Sequence, residues 1–282
     1  MTGEYIVINQ NMARLFIPIG VPVVPRWFIG VRVVFLLFIL AISPPAIAGP
    51  PFKTDDPETV DYKHGEFYVA SQYANDKDGV SSTAPHFEVN YGVLPNVQLH
   101  LLVPFGYDRQ RGGPTLYGFQ DVELGVKYRF IQESEYLPMV GTFPIVHLPT
   151  GDESRGLSGG ETQLFLPLWL QKSWGPWLTY GGGGYWINPG KDNQNYWFFG
   201  LVLQREIAKW LSVGVESFYQ TPPIRYGEYQ TGYSLGAIIN FTENHHLLFS
   251  GGSDFHGPNL FSYYVAYQYT WGQEKKNGEE KK

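Results

Sequence analysis

The sequence predicts an all-β fold, a transmembrane antiparallel β-barrel of about 12 strands with short periplasmic turns and longer extracellular loops. Three observations lead there. From Phe261 to Trp271 the chain alternates without a slip: Phe261, Tyr263, Val265, Tyr267, Tyr269 and Trp271 share one parity, and Ser262, Tyr264, Ala266, Gln268 and Thr270 the other. Successive side chains of a strand point to opposite faces, so this segment has one apolar aromatic face and one small, mostly polar face. The pattern recurs along the chain, and the connections between its repeats alternate between long and short. Repeated apolar-out, polar-in strands joined in that way are what a bilayer-spanning barrel needs.

The chain has 282 residues, no cysteine, 17% aromatic residues and only 16% charged residues. One domain accounts for that length, and the lack of cysteine excludes a disulfide framework and thiolate chemistry. A slightly negative mean hydropathy argues against a helical membrane protein but not against a barrel, whose strands turn half their residues to a polar interior. The one continuous apolar run, Val31 to Ile42, has Arg26 and Arg32 at its head and ends in Ser43-Pro44-Pro45-Ala46-Ile47-Ala48. A basic flank, an apolar stretch too short to span and a small-x-small ending read as a secretory signal cleaved after Ala48. The alternative, an uncleaved anchor, fits the two prolines and Ala-Ile-Ala less well. The predicted organisation is therefore a signal peptide with a long lead over 1–48, a periplasmic N-terminal segment over 49–64, the barrel over 65–271 and a polar tail over 272–282. Removing residues 1–48 takes away Arg14, Arg26 and Arg32 against Glu4, moving the formal charge from -6 to -8. No basic patch remains to bind nucleic acid.

After the proline-rich lead GPPFKTDDPETVDYKHG, strands are expected near 65–74, 83–93, 96–106, 119–131, 137–148, 161–172, 176–187, 196–205, 210–220, 231–241, 245–253 and 261–271. The clearest place Val97, Leu99, Leu101, Val103 and Phe105, or Val122, Leu124, Val126, Tyr128 and Phe130, or Tyr233, Leu235, Ala237, Ile239 and Phe241, at every second position. Connections at 75–82, 107–118, 149–160, 188–195, 221–230 and 254–260 are long and rich in Gly, Pro, Asn and Asp. Short turns lie between them, which leaves both termini on the short-turn side. A soluble all-β protein is the alternative, but its outer strand faces would carry charge, and here they carry almost none. Tyr91, Trp169, Trp177, Tyr185, Trp186, Trp197, Trp210, Tyr219 and Trp271 crowd the strand ends, as interfacial aromatic girdles do. Gly181 to Gly184 follow no strand-to-helix transition and mark close backbone approach or a kink in the wall.

Parity also assigns the interior. If Val122, Leu124, Val126, Tyr128 and Phe130 face lipid, then Asp121, Glu123, Lys127 and Arg129 face the lumen, because a charge on the lipid side at mid-membrane costs about 2–4 kcal/mol. The same rule turns Glu66, His86, Glu88, Asn90, Gln98, His100, Gln204, Glu216, Asn240 and Gln268 inward. Lys127 and Arg129 then stand against Glu66, Glu88, Asp121, Glu123 and Glu216, and the lumen is mildly acidic. These groups either brace a narrow barrel as paired buried charges or line a pore and set its selectivity. The loops carrying Arg109 and Arg111, and Asp152 and Arg155, are the candidate constriction. Catalytic signals are weak: Ser250 lies four residues from His246 on one strand, more than about 10 Å away, and no histidine has metal-ligand spacing.

With these residues laid out, the chain resembles the family of outer-membrane proteins named for the MetA pathway of phenol degradation. The stretches that carry the resemblance are PPFKTDDPETVDYKHGEFY, YGVLPNVQLHLLVPFGY, GFQDVELGVKYRF, HLPTGD, LPLWLQKSWGPWLTYGGGGYWINPG, NYWFFGLVLQRE and GYSLGAIINFTENHHLLFSGG. The resemblance implies a barrel that passes small compounds, aromatic ones among them, and it implies no catalytic residue. The chain departs from the usual barrel ending, since Trp271 is followed by the polar GQEKKNGEEKK. The resulting expectation is a monomeric barrel in the bacterial outer membrane, a passive channel or transporter, without cofactor or metal and not an enzyme. Its partners would be membrane lipid, a small-molecule solute and the barrel-assembly machinery. A lipid-modifying enzyme and a closed structural or adhesin barrel are the alternatives, separable by lipid hydrolysis and by conductance.

Overall fold

A computed structural model describes residues 51–272. The leader expected over 1–48 and the tail beyond 272 lie outside the described residues. Fourteen strand segments follow in chain order: β1 (Gly65–Asp76), β2 (Gly79–Leu94), β3 (Val97–Gln110), β4 (Leu116–Phe119), β5 (Val122–Ile131), β6 (Met139–Thr142), β7 (Ile145–Leu148), β8 (Gln163–Trp174), β9 (Trp177–Ile187), β10 (Tyr196–Ala208), β11 (Leu211–Gln220), β12 (Gln230–Asn240), β13 (His245–His256) and β14 (Asn259–Trp271). β4 and β5 are halves of one stave, both paired with β3. β6 and β7 are halves of another, both paired with β8 and broken at Phe143-Pro144, where proline has no N–H for the ladder. Fourteen segments thus make a closed antiparallel barrel of 12 staves. β1 closes it against β14, with Gly65 opposite Trp271 and Tyr73 opposite Tyr263. Closure leaves no free edge, which hydrocarbon would not tolerate because it cannot hydrogen-bond exposed N–H and C=O groups.

Side-chain exposure follows the predicted parity. Along β14, Phe261, Tyr263, Val265, Tyr267 and Tyr269 are exposed while Tyr264, Ala266 and Gln268 are buried. Leu99, Leu101, Leu124, Val126, Leu166, Leu168, Leu201, Leu203, Val213, Val215 and Leu235 continue the exposed belt. An apolar band of that extent around a closed barrel is a lipid-facing surface. Tyr91, Trp177 and Trp210 are exposed near its short-turn edge, and Trp197 and Tyr219 near the other. Two of the expected long loops are absent. β1 and β2 extend until only Lys77 and Asp78 separate them, and β13 and β14 until only Gly257 and Pro258 do. Their polar residues pair across the extended hairpins, Tyr73 with Ser82 and Asn75 with Val80, so polarity there marked strand ends standing clear of lipid rather than loop.

Candidate functional site

Residues 51–64, expected to form a periplasmic segment, run inside the barrel. Thr54 donates to Glu216 Oε1 on β11 twice, from its N–H at 2.6 Å and from its hydroxyl at 2.7 Å. Lys127 Nζ on β5 lies 2.9 Å from Asp55 Oδ1 and 3.9 Å from Asp56 Oδ1. Gln171 on β8 donates to Glu58 Oε2 at 3.1 Å, the Val60 N–H to Gln98 Oε1 on β3 at 2.8 Å, and the Ser250 hydroxyl on β13 to the Pro51 carbonyl at 2.5 Å. A segment that touches β3, β5, β8, β11 and β13 of one closed ring can only lie within it. The chemical reason is pairing: its acids and backbone donors find partners in the lumen that water at the rim would otherwise supply.

Glycines make room for it. A Cβ at Gly200 would overlap the Thr54 side chain, and Cβ atoms at Gly214 and Gly236 would press the Phe52 ring at 3.0 and 2.9 Å. The segment climbs from the short-turn rim, where Tyr62 bridges Gly92, to Pro51 against Ser250 at mid-strand of β13.

It divides the interior. On the short-turn side lies a cavity of about 780 Å³, bordered by Glu66, Glu88, His100, Glu123 and Lys127 and reaching Asn244 and Gly272 at the rim. On the loop side lies one of about 400 Å³, bordered by Ser82, Gln120, Gln230 and Asn259. Phe52, Gln72 and Tyr264 border both cavities, so the partition stands there.

The two halves of the wall differ. One carries a continuous polar belt. His147 Nε2 meets Glu123 Oε2 at 2.9 Å, Glu123 Oε1 lies 3.0 Å from His100 Nε2, and the His100 Nδ1–H donates to Asn90 Oδ1 at 2.8 Å. Asn90 Nδ2 donates to Glu88 Oε1 at 2.7 Å and to Glu66 Oε2 at 3.4 Å. Glu66 also accepts from Tyr68 OH at 2.8 Å, which accepts from Gln268 at 2.7 Å. The belt crosses β7, β5, β3, β2, β1 and β14 without a break. The other half is aromatic: Phe165, Trp169, Phe198 and Phe218 are buried together with Phe143, and Leu178, Tyr180 and Val202 pack beside Phe52. The charged lumen expected from parity is therefore one wall of two. Trp169 and Trp186, expected in the interfacial girdle, face inward. Trp169 is only 1% exposed, and Trp186 stacks on Phe165 with ring centroids 4.7 Å apart.

The remaining expected site residues do other things. Glu216 is buried beneath Thr54. Asp121 anchors the 149–162 connection, accepting the N–H groups of Gly151 and Gly159 at 3.0 and 2.9 Å. Arg129 donates from Nε and Nη2 to Asn96 Oδ1 in the β2–β3 turn, at 3.0 and 2.8 Å. Arg109, Arg111, Asp152 and Arg155 are exposed, and none borders either lumenal cavity. Arg155 donates to the Tyr117 carbonyl, and the Ser154 hydroxyl holds the Asp152 carboxyl below the usual carboxylate range. Among the described residues it is 51–64 that cross the lumen between the two cavities. Ser250 and His246 both face inward and are engaged apart, with Pro51 and Asn240. The glycine run does mark close approach: the Phe199 ring covers Gly183 and the Phe165 ring covers Gly184.

No protein-family model and no curated protein matches the sequence. Among solved structures the chain is similar to an outer-membrane channel from Pseudomonas putida F1, with a TM-score of 0.60 and 15% identity, covering 82% of this chain and 100% of that one. The translocator domain of the autotransporter NalP from Neisseria meningitidis aligns at a TM-score of 0.49 and 11% identity, over 86% of this chain and 94% of that one. At such identities the likeness is one of fold, a membrane-spanning barrel.

Proposed function

We propose that the protein is a passive channel or transporter of the bacterial outer membrane, acting as a monomer on small compounds. The observation that carries this reading is the pair of lumenal cavities, about 780 and 400 Å³, that extend toward opposite ends and are parted at Phe52, Gln72 and Tyr264. A barrel needed only for bracing has no use for two polar cavities in line. The reading draws further support from the fold shared with a Pseudomonas putida channel and, for aromatic solutes, from the resemblance to the MetA-pathway family. Passage follows the polar wall, because the aromatic wall is packed against itself.

Planar-bilayer recording and liposome uptake test this. The full protein should conduct in small steps, and the chain lacking residues 51–60 should conduct in several-fold larger ones, since the partition is then gone. If neither conducts nor admits solute, the barrel is closed and its charges are bracing.

A further inference from the structure

We infer that the larger lumenal cavity is a binding site for organic ammonium ions, with the charged head between Glu66 and Glu88 and the hydrocarbon or aromatic body toward Phe143 and Phe52. This deepens the channel reading, on which it rests only for the ligand's route in and out.

Glu66 on β1 and Glu88 on β2 are held side by side by one amide, since Asn90 Nδ2 donates to both. Each keeps one oxygen, Glu66 Oε1 and Glu88 Oε2, without a protein donor among the described residues. The lysine and arginine side chains nearby are committed elsewhere, and Glu88 has only a share in one histidine. Lys127 lies on Asp55 and Asp56, Arg129 is bound to Asn96, and His100 is shared between Glu88 and Glu123. Two adjacent carboxylates with no lysine or arginine of their own leave a negative field in a confined space, and a cation relieves it.

Tyr264 points to the same place independently. It is 9% exposed, it borders the cavity, and its hydroxyl has no hydrogen-bond partner among the described residues. A buried hydroxyl left unpaired costs about 1–3 kcal/mol, and an ammonium N–H would donate to it. Phe143 and Phe52 border the same space, and aromatic faces attract cations as well as cover apolar bodies. The Lys127 ammonium already sits 5.0 Å from the Phe143 ring centroid. A metal ion fits less well. Among the described residues no group of three His, Cys, Asp or Glu side chains has a metal-binding arrangement, whereas Ca²⁺ takes six or more oxygens. An anion would meet the carboxylates.

The test is calorimetry of the full protein in detergent with three probes of one shape: benzylammonium, benzyl alcohol and benzoate. Benzylammonium should bind at least tenfold tighter than benzyl alcohol, and benzoate should not bind. Glu66→Gln with Glu88→Gln should weaken benzylammonium at least tenfold while leaving benzyl alcohol unchanged, and Tyr264→Phe should weaken it about threefold. Glu66→Gln alone serves if the double variant does not reach the folded, heat-modifiable form. Equal affinities for benzylammonium and benzyl alcohol, or full affinity in a folded Glu66→Gln chain, overturn the inference while leaving conductance, and so the channel reading, standing. Charge-selective binding in a protein that never conducts would support the site and overturn the channel.

Discussion

The two walls of the lumen are built on the same inward parity and do opposite work. Along β1, β2, β3 and β5 the inward positions hold Glu66, Glu88, His100, Glu123 and Lys127, whose hydrogen bonds keep them apart and leave a cavity of about 780 Å³ between them. Along β8, β10 and β11 they hold Phe165, Trp169, Phe198 and Phe218, which close on one another. Polar side chains need partners at fixed distances and directions, whereas apolar ones lower their free energy by excluding space. The polar wall therefore leaves open space beside it, and the aromatic wall packs solid. Residues 51–64 lie between them, with Asp55 and Asp56 toward Lys127 and Phe52 toward Leu178 and Val202.

If the aromatic wall supplies rigidity, Trp169→Ala should give the largest loss of stability, about 3–5 kcal/mol for a buried aromatic truncation, read as a lower unfolding midpoint in detergent. Its conductance before unfolding should stay near wild type. A loss confined to conductance would reverse the roles of the walls. Neighbouring positions of β5 sharpen the contrast between outside and inside. Val126→Lys should cost about 2–4 kcal/mol and impair membrane assembly, because it puts a charge into hydrocarbon. Lys127→Val should assemble but loosen residues 51–64, seen as faster proteolysis of that segment. Equal assembly defects would reject the parity.

A smaller effect is expected from Glu216→Ala, which strips Thr54 of both its hydrogen bonds. About 1–3 kcal/mol of segment docking should be lost, with larger and noisier conductance steps and little change in barrel unfolding. The smallest belongs to the loop residues Arg109 and Arg155: replacing either with alanine should change stability by less than about 0.5 kcal/mol and leave conductance alone. A marked change in ion selectivity would return the constriction to the loops.

The outer surface was legible in the sequence because β3, β5 and β14 carry most of their large apolar residues on one parity. β8 was not, since Leu164, Leu166, Leu168 and Leu170 alternate with Phe165, Pro167, Trp169 and Gln171. Both of its faces are largely apolar, so periodicity cannot separate lipid from core, and a tryptophan suits either. The lumenal course of residues 51–64 was hidden for a different reason. An acidic, proline-rich stretch has no periodicity, and the contact that fixes it, Thr54 with Glu216, joins positions 162 residues apart. A usable signal was present on the other partner: Gly200, Gly214 and Gly236 occupy inward positions of three adjacent strands, a groove left open for a chain. Of the candidate site, the carboxylates of the polar wall could be read from parity, but not which of them the barrel's own cations had already claimed.

The divided lumen depends on where residues 51–64 lie, and photo-crosslinking from position 52 measures that directly. With p-benzoylphenylalanine in place of Phe52, irradiation of the membrane-embedded protein should join residue 52 to peptides of β11 and β12 around Gly214 and Gly236, identified by mass spectrometry. Adducts only to lipid, to solvent or to other proteins would place the segment outside the barrel and contradict the divided lumen.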